Sequence, residues 1–138
     1  MGRQAPKALV VEDVRIWRET VSALLLEAGF QVRSATNLEE GLAALGEGPF
    51  HLAVVDVSLQ PGERNDRSGL ALVREGWSRG RIAHIVILCG FADEEEVRAE
   101  LGIDIPCQVI DKAYLRSSGF ETLLSQVIGE TGSDEPSP

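Results

Sequence analysis

The stretch Leu52-Ala53-Val54-Val55-Asp56 decides the fold of this chain. Its four consecutive apolar residues are too few for a helix, and they are too uniformly apolar for a strand with one face in water. We therefore predict a central strand of a parallel sheet, with an acidic residue at its end. Further strands are predicted from the apolar runs 8–11 and 85–88, the alternating segment 30–34 and the short apolar pair Val109-Ile110.

Helical patterns separate these strands. Asn37 followed by Glu40 is typical of a capped helix start, and Gly29 supplies a stop after an apolar stripe. Strands that alternate with helices indicate right-handed crossovers and a parallel α/β sheet covered on both faces. The predicted helices cover about 16–28, 38–45, 69–77 and 93–101, and a fifth begins at Ser118 with Glu121 as its capping partner.

Composition bounds the class of protein. The chain has 138 residues, of which 43% are hydrophobic, and this is enough for one domain with its own core. We expect an N-terminal tail at 1–6, a domain at 7–129 and a disordered tail or linker stump at 130–138. The net charge of −9 argues against direct nucleic-acid binding. No stretch is typical of a signal peptide or membrane span, so we expect a cytoplasmic protein without membrane contact, whose Cys89 and Cys107 are reduced thiols.

Chemically active residues follow the predicted strands, at ends that meet at one edge of a parallel sheet. Clustered carboxylates repel by about 4 kcal/mol per close pair unless a cation lies among them. An open site with few protein oxygens suits Mg²⁺, and a lysine beside it can bind a phosphoryl oxygen. The residues at these ends are Glu12-Asp13, Asp56, Cys89-Gly90 and Asp111-Lys112.

The chain resembles the response-regulator receiver family of two-component signalling from about Lys7 to Gly129. The resemblance is carried by Glu12-Asp13 after an apolar strand, Asp56-Val57-Ser58-Leu59, Cys89-Gly90-Phe91 and Lys112. It implies a doubly wound, flavodoxin-like α/β fold with five helices and strand order 2-1-3-4-5.

The resemblance also implies the roles of the site residues. Mg²⁺ would be held by Glu12, Asp13, Asp56 and the main-chain carbonyl of Ser58. Asp56 would accept a phosphoryl group from a histidine kinase or phosphotransfer protein, with Lys112 bound to the phosphoryl group. The signal would pass to a downstream protein partner, and a homodimer through helix four, strand five and helix five, or through helix one, is compatible with the family.

Three positions depart from the family pattern. Cys89 stands where the family usually has Thr or Ser, and Val109 stands where it usually has Tyr or Phe, so both parts of the usual relay are altered. Ala113 replaces the proline that usually follows the lysine, which leaves the position of Lys112 less defined. The family's glycine after the phosphoacceptor matches Gly69, so 60–68 is predicted to be an inserted loop.

Two other functions compete with a phosphoacceptor. A degenerate receiver would keep the fold as a phosphorylation-independent interaction module, and the three departures motivate that alternative. A phosphatase of the aspartyl-phosphate type would need a second acid two residues after the nucleophile, where this chain has Ser58. Ordinary capping carboxylates would explain one acidic residue, but not four agreeing positions. We expect Trp17 and Trp77 to be partly buried core residues.

Overall fold

The computed structural model describes residues 5–59, 66–89, 94–115 and 118–133. The strands and helices alternate along the chain, as the hydrophobic pattern predicts. The strands are β1 (Lys7–Val11), β2 (Gln31–Ala35), β3 (Phe50–Asp56), β4 (Ile82–Cys89) and β5 (Gln108–Asp111), and the helices are α1 (Arg15–Ala28), α2 (Leu38–Leu45), α3 (Ser68–Ser78), α4 (Glu94–Leu101) and α5 (Ser118–Ser133). A single 3₁₀ turn, Lys112–Tyr114, follows β5.

The five strands form one parallel sheet in the order β2-β1-β3-β4-β5. This confirms the predicted fold class and strand order. The register sets Val11 beside Val55 and Asp56 beside Leu88, so the carboxyl ends of the three central strands lie next to one another. β5 pairs with the end of β4 through Cys89 and Asp111. All the predicted site elements therefore reach the same edge of the sheet.

Both faces of the sheet are packed with apolar side chains, because successive strand residues point to opposite sides. One face contributes Leu9, Ala53 and Ile87 to a core under α2, α3 and α4. The other face contributes side chains to a core beneath α1 and α5. Trp77 packs against the first core and Trp17 against the second, and both are partly buried as predicted.

The helix ends follow the sequence signals closely. Gly29 has φ 106°, and its N–H donates to carbonyls in the last turn of α1. The Asn37 side chain accepts the Glu40 N–H at 2.8 Å and caps α2, whereas the Glu40 carboxylate accepts the N–H of Thr36 instead of that of the cap residue. Within the described ranges, no helix is both long enough and apolar enough to cross a membrane.

The C-terminal boundary differs from the prediction. α5 continues to Ser133, four residues beyond the predicted domain end at residue 129, and the predicted domain boundaries stay predictions. A last helical turn is held by main-chain hydrogen bonds to the preceding turn, and it needs no apolar anchor. Several predicted features lie outside the described residues: 1–4, most of the inserted loop (60–65), Gly90, Phe91, Asp93, the Ser118 side chain and 134–138.

Candidate functional site

Three carboxylates meet at the carboxyl edge of the sheet. Glu12 and Asp13 follow β1, and Asp56 is the last residue of β3. One carboxylate oxygen from each of the three lies within 4.8 Å of the other two. Glu12 is fully buried and Asp56 is 6% exposed, which makes them the buried charged residues of the described chain. The sequence prediction that these three acids come together is thus reproduced in the geometry.

Lys112 brings a positive charge into this cluster from the 3₁₀ turn that follows β5. Its Nζ donates to Asp56 Oδ2 at 3.0 Å and lies 2.9 Å from Glu12 Oε1. The Lys112 side chain is only 15% exposed. Burial lowers its pKa, but the two carboxylates more than offset this and leave the pKa raised. Lys112 is therefore a charged ammonium that joins two of the acids.

One lysine does not neutralise the acids. Burial, followed by the charge of Asp56, raises the pKa of Glu12 to about 8, although the Val14 N–H and Lys112 act in the opposite direction. Burial also raises the pKa of Asp56, against the lowering effect of Lys112. The cluster therefore carries more negative potential than its own residues relieve, which favours a further cation.

The donor set fits a hard divalent cation. Glu12 Oε2 accepts the Val14 N–H at 3.0 Å, which fixes the orientation of the carboxylate. The other oxygen, Oε1, is buried without a well-aligned hydrogen-bond donor in the described part of the chain, and Lys112 is its ion-pair partner. Carboxylate oxygens are the ligands that Mg²⁺ takes, with water filling its remaining positions. The predicted Mg²⁺ site is compatible with these residues.

The main chain after Asp56 is held by close contacts. The Ser58 N–H points to Asp56 Oδ1 at 3.4 Å, and the Gly69 N–H donates to the Val57 carbonyl at 2.9 Å. Asp66 Oδ2 accepts the N–H of Leu59 at 2.9 Å and that of Ser68 at 3.2 Å. Asp66 thus ties together the two ends of the inserted loop beside the site.

The departures from the family pattern are visible in the structure. Cys89 is buried with the core under α4, and Val109 packs partly against the same core. Neither Cys89 nor Cys107 forms a disulfide. Asp111 Oδ1 accepts the Ala113 N–H at 2.9 Å, so a side-chain cap shapes the turn after Lys112. The roles predicted for Gly90 and for the Ser58 carbonyl stay predictions.

Two contacts at the site were not predicted from the sequence. Arg18 donates from Nη1 to the Glu12 carbonyl at 3.0 Å, and the Trp17 ring centroid lies 5.6 Å from Lys112 Nζ. Both residues belong to the first turns of α1, which begins two residues after Asp13. That proximity in sequence is the signal that could have identified them.

Comparison with known proteins gives the same assignment. No family model matches the chain. The transcriptional regulatory protein AruR of Pseudomonas aeruginosa is 36% identical over an alignment of 106 residues, and the match covers 72% of this chain and 41% of AruR. The chain spans about two fifths of the length of the curated relatives it matches.

Solved structures agree with the sequence relatives. The receiver domain of NtrX from Brucella abortus superposes with a TM-score of 0.70 at 25% identity, over 88% of this chain and 98% of that domain. A response regulator from Burkholderia pseudomallei, solved with a phosphorylated aspartic acid, calcium and citrate, gives a TM-score of 0.66 at 26% identity, over 95% of this chain and 75% of that protein.

The fold and its strand-end cluster define the class as a CheY-like α/β receiver domain. The chain belongs to the response-regulator receiver family of two-component signalling.

Proposed function

We propose that this domain accepts a phosphoryl group on Asp56 in a Mg²⁺-dependent reaction. The observation that carries the proposal is the Asp56 carboxylate, which is almost buried, joined to Lys112 at 3.0 Å and grouped with Glu12 and Asp13. A related protein has been solved with a phosphorylated aspartic acid, which is the modification proposed here.

In the proposed reaction an Asp56 carboxylate oxygen attacks phosphorus while the bond to the donor nitrogen breaks. The donor is a phosphohistidine on a histidine kinase or phosphotransfer protein, and the freed imidazole nitrogen takes a proton. Glu12, Asp13, Asp56 and the Ser58 carbonyl would hold Mg²⁺, which supplies positive charge to the phosphoryl oxygens when bound. Lys112 would move one N–H from Asp56 to a phosphoryl oxygen.

The degenerate interaction module is not favoured. A domain without phosphoryl chemistry has no need to bury two carboxylates, because burial of charge costs free energy unless a partner compensates for it. Here the carboxylates, the lysine and the fixed main chain after Asp56 are all retained. The domain would act as a phosphoacceptor that signals through a protein partner and not as a conventional turnover enzyme.

Several finer predictions belong with this proposal. AruR is a transcriptional regulatory protein of which this chain covers 41%, and we propose that this domain itself makes no direct nucleic-acid contact. We also propose a cytoplasmic location, and a homodimer through α4, β5 and α5 or through α1 stays a prediction.

The test is titration with Mg²⁺, then beryllofluoride, followed by amide NMR, together with labelling by phosphoramidate. We expect saturable Mg²⁺ binding, beryllofluoride shifts at Asp56, Cys89 and Lys112, and one phosphoryl group per chain. Asp56→Asn should abolish labelling and weaken Mg²⁺ binding about tenfold or more, because one full charge leaves the cluster. Asp104→Asn, which removes an exposed acid outside the cluster, is the control.

Two outcomes would contradict the proposal. Unchanged labelling of the Asp56→Asn variant would show that Asp56 is not the acceptor. A wild-type protein that responds to neither Mg²⁺ nor beryllofluoride would instead support the interaction module.

A further inference from the structure

The ammonium of Lys112 requires more than a fixed main chain. The Lys112–Tyr114 turn is held by the Asp111 cap on Ala113 and by the Leu115 N–H, which donates to the Lys112 carbonyl at 3.3 Å. Leu115 is buried and anchors the end of the turn. A lysine side chain is nevertheless a point charge on a flexible four-carbon stem. The position of Nζ therefore depends on the groups that contact it.

Among the residues that the structure describes, three groups contact Nζ of Lys112. Two are the carboxylates of Glu12 and Asp56, and the third is the ring of Trp17, 5.6 Å from Nζ to the centroid. An ammonium has three N–H donors, so it can contact the face of an aromatic ring in addition to two carboxylates. The ring adds no charge to the site. The carboxylates are the same groups that the proposed reaction assigns to Mg²⁺ and to the phosphoryl group. Trp17 is the member of the three that the reaction leaves in place.

The Trp17 ring is held beside Lys112 by its own packing. It lies in the first turn of α1 and packs against the core shared by α1 and α5. Tryptophan has the most favourable ring face for a cation, and the interaction strengthens when the pair is shielded from water. A carboxylate at this position would compete with Asp56 for the lysine, while an aliphatic side chain would offer no attraction.

We propose that Trp17 is a positioning residue for phosphoryl transfer, whose indole face keeps the Lys112 ammonium beside Asp56 while its carboxylate partners are engaged. The inference rests on the proposed function, and it addresses a particular feature of this chain. Ala113 stands where receiver domains usually have proline after the lysine, so the side chain depends more on the ring and on the Asp111 cap.

The test compares rates of labelling by phosphoramidate at saturating Mg²⁺. Trp17→Leu should slow labelling about fivefold, the equivalent of a partly shielded cation–π contact. Trp17→Phe keeps an aromatic face and should stay within about twofold of wild type. Trp77→Leu is the matched control, because it removes a half-buried tryptophan from the other core, and it should leave the rate within about twofold.

A double-mutant cycle separates positioning from packing. In a Lys112→Met background, Trp17→Leu should slow labelling less than about twofold, because the residue it acts through is absent. Equal slowing in both backgrounds would overturn the proposal. In wild type, the ring-current shift of the Lys112 ε-protons should persist when Mg²⁺ and beryllofluoride are bound, and its loss would also overturn it.

The outcomes distinguish this inference from the function on which it rests. If wild type is labelled and Trp17→Leu is labelled at the same rate, only the role of Trp17 fails. If wild type is not labelled and does not bind beryllofluoride, the proposed function fails and the inference fails with it.

Discussion

Gly69 packs directly on the main chain of Asp56. A Cβ atom built at Gly69 would lie 1.7 Å from the Asp56 carbonyl oxygen and 2.9 Å from that of Val57. Both obstructing atoms belong to the backbone, so they cannot move aside by a rotamer change. The second residue of α3 therefore has no room for a side chain beside the end of β3, and this explains why a glycine follows the inserted loop.

Gly69→Ala should damage both the fold and the site. Relief of the overlap requires movement of β3 or α3, and we expect the free energy of unfolding to fall by about 3 kcal/mol, the upper end for overpacking. Mg²⁺ affinity should fall as well. Gly129→Ala is the control, because a Cβ there meets no atom within 4 Å and should stabilise α5 by about 0.5–1 kcal/mol. Denaturant unfolding and Mg²⁺ titration provide the measurements, and an unperturbed Gly69→Ala protein would contradict this packing.

Mg²⁺ binding should strengthen as pH rises from 6 to 8. The Glu12 pKa of about 8 means that its carboxyl holds a proton at neutral pH without metal, and Mg²⁺ needs the carboxylate. Affinity should increase by up to about tenfold per pH unit, with a proton released on binding. Calorimetry in buffers of different ionisation enthalpy measures that release. Glu12→Gln should bind Mg²⁺ more weakly, and its Mg²⁺ affinity should no longer depend on pH. If the variant keeps the pH dependence, the released proton comes from another group.

The same group makes metal-free stability depend on pH in the opposite sense. The folded pKa of Glu12 lies above its ordinary value of 4.5, so the folded state binds the proton more tightly. The stability contribution is complete below pH 4.5 and is lost progressively as pH rises to about 8. Urea unfolding with chelator should therefore show less stability at pH 8 than at pH 5.5, and Glu12→Gln should reduce the difference. If the free energy of unfolding depends on pH equally in wild type and in Glu12→Gln, Glu12 is not the group responsible.

The sheet and the acidic cluster were predictable because both depend on local patterns. The apolar run before Asp56 identifies a buried parallel strand, and the carboxyl ends of such strands meet at one edge. Glu12 and Asp13 follow from the same argument. The end of α5 was not predictable from composition, because main-chain hydrogen bonds extend the helix to Ser133 without apolar side chains.

The contacts that complete the site could not be predicted as pairs, because each depends on how the assembled fold brings its two partners together. Trp17 meets Lys112 across the sheet edge, and its partly buried position is equally compatible with a core role alone. Asp66 closes the inserted loop onto Leu59, which a polar loop sequence does not specify. Side-chain geometry of this kind depends on the assembled fold.

Cys89→Thr should strengthen the response to phosphorylation. Cys89 is buried at the end of β4, in the core that also contains Val97 of α4, and a thiol is a weak hydrogen-bond donor. A threonine hydroxyl can donate to a phosphoryl oxygen, so beryllofluoride should alter amide exchange in α4 more than in wild type. Cys89→Val keeps the shape without the hydroxyl and is the control. Equal responses in the Thr and Val variants would show that the hydroxyl is not used.

The inserted loop also contacts α4 through charged side chains. Arg67, immediately before α3, reaches Glu96 at 3.3 Å and Glu100 at 3.9 Å. Its neighbour Asp66 is bonded to Leu59, three residues after Asp56. Movement of the main chain after Asp56 can therefore reach α4 without passing through Cys89.

Arg67→Met should reduce communication with α4 more than it reduces stability. Its ion pairs are partly exposed, so their loss should change the free energy of unfolding by less than about 1 kcal/mol. The beryllofluoride-induced difference in α4 amide exchange should nevertheless fall by about half, because the link from the loop to Glu96 and Glu100 is removed. Arg79→Met breaks an exposed pair with Glu75 at the far end of α3 and is the matched control. If both variants keep the wild-type difference in α4, the signal leaves the site by another route, and the altered strand end at Cys89 becomes the next position to test.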